Sequence, residues 1–447
     1  MATPIADSYS GIPSGITSVQ LGRGTPYVPP AVVPSGTVVT LAQSNSRSDM
    51  DPKLDPLANP SYPGTGPWAV GVGYVWSTVT DYSGAVFVPT LGAAGAYLQY
   101  GAAGHAAYSA PFWFGYYVAE QEWRRVGARP LPSSGLSASG VLGYPPDPAC
   151  WDATWGDYNG GWAGWPAGFS QPGIIVPEGS HTRNRMLFRP PAAAGNTKGQ
   201  IIVTWRPSGA ADAGSAAGSW VYDLDTLTFA RTANLRPSGF FAHAGGAVYH
   251  AGLDVVTAPN QSPGAASTLD WLNCATMTWT ARNLTGGTHS YGQGPQAFGW
   301  IDSAGKHWHV CYDSIAGTHW GIRAEDVMVA GANIPWVDMT VSAPDGMPPI
   351  GPSSQFYPTW SRCAADGCYY IADGVTGGTV LYKLTPPVSG VFTDTWVISK
   401  QTLAGDAIAI NDNHYGKLQW CPSLTAFLWT GRQQYFAGVQ GIRPIGI

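Results

Sequence analysis

His307 and His309 alternate along the segment KHWHVCY, so an extended strand there would project both imidazoles to one face, as a bidentate metal pair requires. A strand bordering a solvent channel accommodates two such histidines without any metal, and none is assigned. His105 sits in the turn-like GAAGHAAY, where it could reach a channel mouth; a loop histidine bonded to the backbone is the plainer reading. Glycoside hydrolysis needs two facing carboxylates. The glutamates are only Glu120, Glu122, Glu178 and Glu325, and most aspartates stand in turn contexts such as DYSG, DLDT and APDG, where Asp bonds its own backbone. The run from Asp302 to Trp308 (DSAGKHW) approaches the Asp box Ser-x-Asp-x-Gly-x-Thr-Trp with the wrong spacing. A GxSxG elbow, a phosphate-binding glycine loop and an HExxH pair are absent. On these grounds no catalytic residue and no cofactor are assigned, and the chain is expected not to be an enzyme.

A second group of residues has the chemistry of sugar binding. Trp151, Trp155, Tyr158, Trp162 and Trp165 fall close together with Asp152, Asp157 and Asn159 among them. Indoles stack on the apolar face of a sugar ring while acids and amides take its hydroxyls. The competing reading is that these rings pin a long loop to the domain or to a neighbouring chain. The cysteines Cys150, Cys274, Cys311, Cys363, Cys368 and Cys421 are dispersed and form no CxxC pair, which argues against a structural zinc site. Cys363 and Cys368 flank Ala-Ala-Asp-Gly and could face each other across a hairpin, either as a disulfide or as two small buried hydrophobes.

The elements that would carry these residues are strands. The chain has 58 Gly, 38 Pro, 20 Trp and 22 Tyr, and only 11% of its residues are charged, against about 25% in typical soluble domains. Residues 1–66 read as an extended arm broken by VPPAVVPSG and ANPSYPGTGP, expected to lie against the domain or a neighbouring subunit. Within the arm, residues 36–43 (GTVVTLAQ) have a strand pattern. From residue 67 onward a unit recurs: a strand ending in small residues, a Tyr- or Trp-containing strand, a short turn and a closing aromatic. The copies close at Trp123, Phe229, Trp279, Trp336 and Trp396, and the last three intervals are 50, 57 and 60 residues. The first interval, 106, is about twice as long, and residues 129–176 (RPLPSSG, GYPPDP, GGWAGWPAG) read as a long Trp-rich insertion.

These copies resemble the kelch family, in which a di-glycine ends one strand, a tyrosine follows and a tryptophan packs between blades; the double glycine survives at Gly377-Gly378 and is degraded to GAAG at Gly101 to Gly104. The resemblance implies an all-β β-propeller over residues 67–447, with six blades favoured and seven open if residues 129–176 hide one. Kelch-like propellers include copper-radical oxidases, but no local motif here assigns their ligands. Inner strands are expected within 74–88, 184–205, 245–258, 297–312, 356–372 and from Lys417 onward. The sixth blade then lacks an outer strand, and residues 36–43 are the candidate to close the ring so that no edge stays unpaired.

A net charge of -5 gives no basic field for a phosphate backbone, so no nucleic acid partner is expected. No apolar run reaches membrane-spanning length, so no membrane insertion is expected either. The N-terminus lacks the basic and apolar regions of a secretory signal. Together these features lead to the expectation of a structural or binding subunit of a phage-like virion (fibre, spike or decoration). Such a subunit would reach other subunits through its arm, act in the virion or outside the cell, and contact host-surface glycans. The alternatives are a carbohydrate-binding, lectin-like propeller and a propeller enzyme acting on glycosides.

Overall fold

Short β-branched and aromatic runs bounded by Gly, Asp and Asn fold as strands that pair with their sequence neighbours. The computed structural model describes residues 32–43, 84–100, 113–126, 169–171, 174–176, 186–204, 219–234, 246–260, 268–285, 296–313, 318–329, 331, 334–348, 358–375, 377–410, 416–431 and 438–447. They form a six-bladed β-propeller. Blade one is Val86–Val88, Ala96–Tyr100, Trp113–Tyr117 and Glu122–Val126, in order from the inside. Blade two is Met186–Arg189, Gln200–Val203, Trp220–Asp223 and Thr228–Arg231; blade three is Val248–His250, Val255–Asn260, Thr268–Asn273 and Thr278–Thr285. Blade four is Gln296–Ile301, His307–Asp313, Thr318–Arg323 and Val337–Asp338; blade five is Ser361–Arg362, Tyr369–Ala372, Val380–Thr385 and Trp396–Thr402. Blade six comprises Gln419–Cys421, Ala426–Trp429, Gln440–Arg443 and, from the other end of the chain, Thr37–Thr40. A separate hairpin, Phe169–Gln171 with Ile174–Val176, lies near the outer strand of blade two. The rest of the arm, residues 1–31 and 44–66, lies outside the described residues.

The recurring sequence unit is the outer hairpin of a blade. In blade two Asp223 Oδ1 accepts from the backbone N–H groups of Asp225 and Thr226, both at 3.0 Å, and in blade three Asn273 Oδ1 does the same for Ala275 and Thr276 at 3.0 and 3.2 Å. These side chains fix the turn. Gln121, Leu227 and Met277 then take left-handed backbone (φ 54°, 58° and 54°), and the closing aromatic Trp123, Phe229 or Trp279 follows two residues later. Each aromatic is therefore the second residue of the outermost strand, where the sequence reading had it end the unit.

Trp336 differs from the other copies. The acids Glu325 and Asp326 open a short helix, Ala324–Met328, where negative charge suits the helix dipole, so the chain leaves the strand before reaching the aromatic. Trp336 lies between strands, its ring edge-on to Trp320 at 3.8 Å.

The core is divided among the junctions between blades. Apolar clusters join blades two and three (Ile202, Val256, Leu272, Trp279), three and four (Leu269, Trp320, Ile322, Val327), and four and five (Trp300, Trp308, Phe392, Trp396). Others join five and six (Tyr370, Leu381, Phe427, Trp429), and one and two with six (Trp113, Tyr222, Phe229, Leu428). Gly321 makes room in one of them. A Cβ there would stand 2.5 Å from the Phe392 ring, which stacks flat on Trp308 at 4.1 Å.

Short segments on the outside stitch one blade to the next. Ile334–Pro335 runs parallel to Leu284-Thr285 of blade three, the same chain then supplies the fourth strand of blade four, and Val341–Ser342 runs parallel to Trp396-Val397 of blade five. Ala404–Gly405, leaving blade five, pairs with Thr37-Val38 in blade six. The Asn234 amide, leaving blade two, acts as a one-residue strand for blade three: it accepts from Trp279 N at 2.6 Å and donates to Trp279 O at 2.9 Å. Past the closing strand, Ala42 O and Gln43 Oε1 accept from Tyr116 Oη and Trp123 Nε1 of blade one, at 2.6 and 2.9 Å.

Candidate functional site

The strand directions give the ring two different ends. At one, first and second strands join through short turns (89–95, 190–199, 251–254, 302–306, 363–368, 422–425), and the outer hairpins also close there. At the other end, second strands pass to third strands and each blade passes to the next, through segments that include 101–112, 127–168, 205–218, 235–245, 261–267 and 286–295. These segments lie outside the described residues. His105 falls in the first and Trp151, Asp152, Trp155, Asp157, Tyr158, Trp162 and Trp165 in the second, so the structure locates only the strand ends that lead to them.

At the turn end Asp302 and Asp366 are occupied in holding turns. Asp302 Oδ1 accepts from the backbone of Ala304 and Lys306 at 2.9 and 2.8 Å, and Oδ2 from Trp308 Nε1 at 2.9 Å. The near-miss Asp box is thus a turn clasp between an aspartate and its tryptophan. Asp366 accepts from Cys368 N and Tyr370 Oη and pairs with Lys383 Nζ at 2.9 Å. Burial would raise its pKa, but these hydrogen bonds and the ammonium hold it below the usual carboxylate range. Cys363 and Cys368 oppose each other in that hairpin, with Cys363 N bonded to Cys368 O at 2.8 Å. Both are buried free thiols, so the disulfide reading gives way to that of two small core residues. Burial also raises both thiol pKa values, which keeps the sulfurs protonated and slow to oxidise. His307 and His309 take different partners, Glu325 and Thr257, and do not act as a pair.

The loop-bearing end is where neutral polar side chains are buried. In blade one the second strand turns Tyr97 and Gln99 toward blade six. Tyr97 Oη donates to Lys417 O at 2.8 Å and lies 3.2 Å from Thr430 Oγ1, and Gln99 Nε2 donates to the same hydroxyl at 3.3 Å. Between blades four and five Thr359 Oγ1 donates to Gln296 Oε1 at 3.0 Å, and Trp360 Nε1 donates to His319 Nε2 at 3.1 Å. That bond puts the His319 proton on Nδ1. Burial pushes the pKa of His319 down to about 3, so the ring is neutral across the working range. It stacks on Tyr312 at 4.3 Å. In blade two Thr204 and Ser219 stand opposite one another, one step beyond the Val203–Trp220 pair.

Among the described residues, four buried polar atoms at this end have no hydrogen-bond partner: Gln99 Oε1, Thr204 Oγ1, Ser219 Oγ and His319 Nδ1. A buried polar atom left without a bond costs about 1–3 kcal/mol, so four gathered at one end call for a ligand or solvent to meet them. The set has one amide acceptor, two hydroxyls and one neutral N–H donor. Such groups suit an uncharged, hydroxyl-rich molecule. The sequence reading missed all four. The available signal was phase: Gln99 shares its strand face with Tyr97, and Thr204 with Ile202, so each is polar on a face turned inward.

Thr204→Val tests whether these groups are kept for a purpose other than stability. The two side chains have the same shape, and the change removes an unpartnered hydroxyl, so unfolding in urea is expected to show a gain of about 1 kcal/mol. A loss of stability would mean that the hydroxyl is already satisfied within the fold.

No protein-family model matches the sequence, and no curated protein matches it, so the kelch label is not carried over to this chain. Solved structures do match. The fold is similar to that of the Penicillium chrysogenum alpha-L-arabinanase complexed with arabinobiose, with 11% identity, 82% of this chain and 93% of that chain covered, and a TM-score of 0.41. It is also similar to a variant of the Fusarium graminearum alpha-L-arabinofuranosidase in complex with an iminosugar inhibitor: 10% identity, 82% and 93% covered, TM-score 0.45. An endo-arabinase from Bacteroides thetaiotaomicron matches with 13% identity over 59% of this chain and 95% of its own, at a TM-score of 0.32. Each of these three is an enzyme, and on that finding the expectation that this chain is not an enzyme is withdrawn.

Proposed function

We propose that this propeller acts on carbohydrate, with an uncharged, hydroxyl-rich glycan held over the loop-bearing end of the ring. The observation that carries this reading is the set of unpartnered neutral atoms (Gln99 Oε1, Thr204 Oγ1, Ser219 Oγ and His319 Nδ1) at the end from which the Trp-rich segment departs. Sugar hydroxyls both donate and accept, and so answer an amide oxygen, a hydroxyl and an imidazole N–H alike. The groups are spread over the junctions of blades six and one, two and three, and four and five, which favours an oligosaccharide over a single sugar. Trp155 and Trp162 supply the flat apolar surface that sugar faces need.

The test is binding and turnover of the whole chain on a panel of poly- and oligosaccharides that includes arabinan, with binding read by calorimetry and cleavage by release of reducing ends. Trp155→Ala and Trp162→Ala are each expected to weaken binding at least tenfold, about 1.4 kcal/mol, with the unfolding midpoint unchanged. Binding unaltered in both variants removes the Trp cluster from the site.

A second reading places the chain in a larger particle such as a phage virion. It is favoured by the sequence of residues 1–31, which reads as an extended arm rich in Pro, Gly and Ser. Mass analysis and electron microscopy of native material would then find the chain in a symmetric assembly. A lone monomer in that material excludes it.

A further inference from the structure

The junction between blades three and four contains a line of imidazoles that carbohydrate binding at the loop-bearing end does not use. His250 Nε2 and His309 Nδ1 both bond one hydroxyl, Thr257 Oγ1, at 2.8 and 2.7 Å. All three residues are buried. Toward the turn end the His307 ring stands 6.0 Å from that of His250, nearly perpendicular to it. His307 Nδ1 bonds Glu325 Oε1 at 2.9 Å, and the His307 backbone N–H donates to the same carboxylate. Gly252 permits this approach, since a Cβ there would meet His307 Nε2 at 2.6 Å.

One hydroxyl can donate to one ring nitrogen and accept from the other, so it joins the two neutral imidazoles in complementary tautomers. Protonating both rings would turn both facing nitrogens into donors and leave the hydroxyl proton without an acceptor. Nor does a carboxylate answer a charge on His250. The strand Gln296–Ile301 opposite it has no titratable residue, the strand His307–Asp313 offers His307, His309 and Cys311 among its described side chains, and Glu325 on the helix Ala324–Met328 is engaged by His307. Burial first, and the neighbouring His309 and His307 second, hold the pKa of His250 well below its ordinary value.

We propose that this junction is an acid-sensitive seam, at which blades three and four separate as the pH falls while junctions without a buried histidine stay closed. The closed seam keeps His250 neutral and the opened seam lets it take a proton. A group whose pKa is depressed in the closed state supports that state fully above the ordinary histidine pKa of about 6.5, and its support is lost as pH falls below it. One proton taken up makes opening at most about tenfold easier per pH unit, and about 15-fold easier between pH 6.5 and 5.0, since the opened state is already half protonated at the upper end.

Hydrogen exchange of the whole chain, corrected for the intrinsic pH dependence of amide exchange, tests this directly. Peptides covering 248–260 and 307–313 are expected to lose about 15-fold protection over that range, while 369–372 and 426–429, at the junction of blades five and six, change little. His250→Gln is expected to abolish the response at 248–260. Equal losses at both junctions, or a response that persists in His250→Gln, would overturn the proposal, and the wild-type comparison alone decides the first point if the variant does not fold.

Discussion

Val38→Asp is expected to abolish cooperative folding of the whole ring, although the residue lies outside blades one to five and close to the start of the described chain. Val38 is fully buried in the junction of blades five and six, among Tyr370, Leu381, Phe427, Trp429 and Ile442. Its neighbours on the other face, Val33 and Leu41, are buried against Leu428 and Val439 in the cluster that reaches blades one and two. The closing strand is therefore packed on both sides, and Gly441 allows the approach: a Cβ there would lie 2.7 Å from Val33. A carboxylate at Val38 has no partner and removes a strand that no other segment replaces. The cost exceeds about 4 kcal/mol, much of the 5–15 kcal/mol that holds a typical domain. Urea unfolding followed by tryptophan fluorescence should lose its sharp transition. Val32→Asp, at a position 73% exposed, should leave the transition where it was.

The second large effect is expected at the turn end between blades two and three. Arg189 is almost fully buried and meets Asp254 in a fork, Nε to Oδ1 at 2.8 Å and Nη2 to Oδ2 at 2.6 Å, with Nη1 on Gln200 Oε1 at 2.9 Å. Tyr249 Oη donates to the same carboxylate at 2.9 Å. Asp254 has left-handed backbone (φ 50°), which asparagine also tolerates, so Asp254→Asn keeps the turn and removes the charge. It leaves a buried guanidinium facing an amide. The expected loss is about 2–3 kcal/mol, below the range for fully buried pairs because Asp254 keeps some contact with water. Adding Arg189→Met to Asp254→Asn should recover part of it, since the uncompensated charge is then gone. A double variant as unstable as the sum of the two single changes would show that the pair contributes no coupling of its own.

The six-bladed ring was legible in the sequence because its outer hairpins repeat a physical requirement. An Asx-type turn, a residue in left-handed backbone and an aromatic wedge must appear in that order, and blades two and three write it plainly in DLDTLTF and NCATMTW. The stitches between blades were not legible. Ile334–Pro335, Val337–Asp338 and Val341–Ser342 are two residues each, too short for any periodicity, and Pro335 reads as a strand breaker even though an edge position tolerates it. The helix at Ala324–Met328 was hidden for the same reason.

The site was less accessible still. Trp151 to Trp165 announce themselves by composition, whereas Gln99 and His319 are single polar residues inside ordinary strands, and Thr204 and Ser219 stand one step beyond theirs. What distinguishes them is one polar atom left without a partner, and that depends on which blade faces which. Local sequence does not contain that information.

The measurement that bears most directly on the carbohydrate reading is a map of hydrogen exchange with and without a saturating oligosaccharide selected from the panel. Protection confined to the strand ends at 97–100, 203–204, 219–220 and 318–320 would place the glycan over the loop-bearing end, as proposed. Protection confined to the turns at 302–306 and 422–425, or a panel on which no carbohydrate binds, would contradict it.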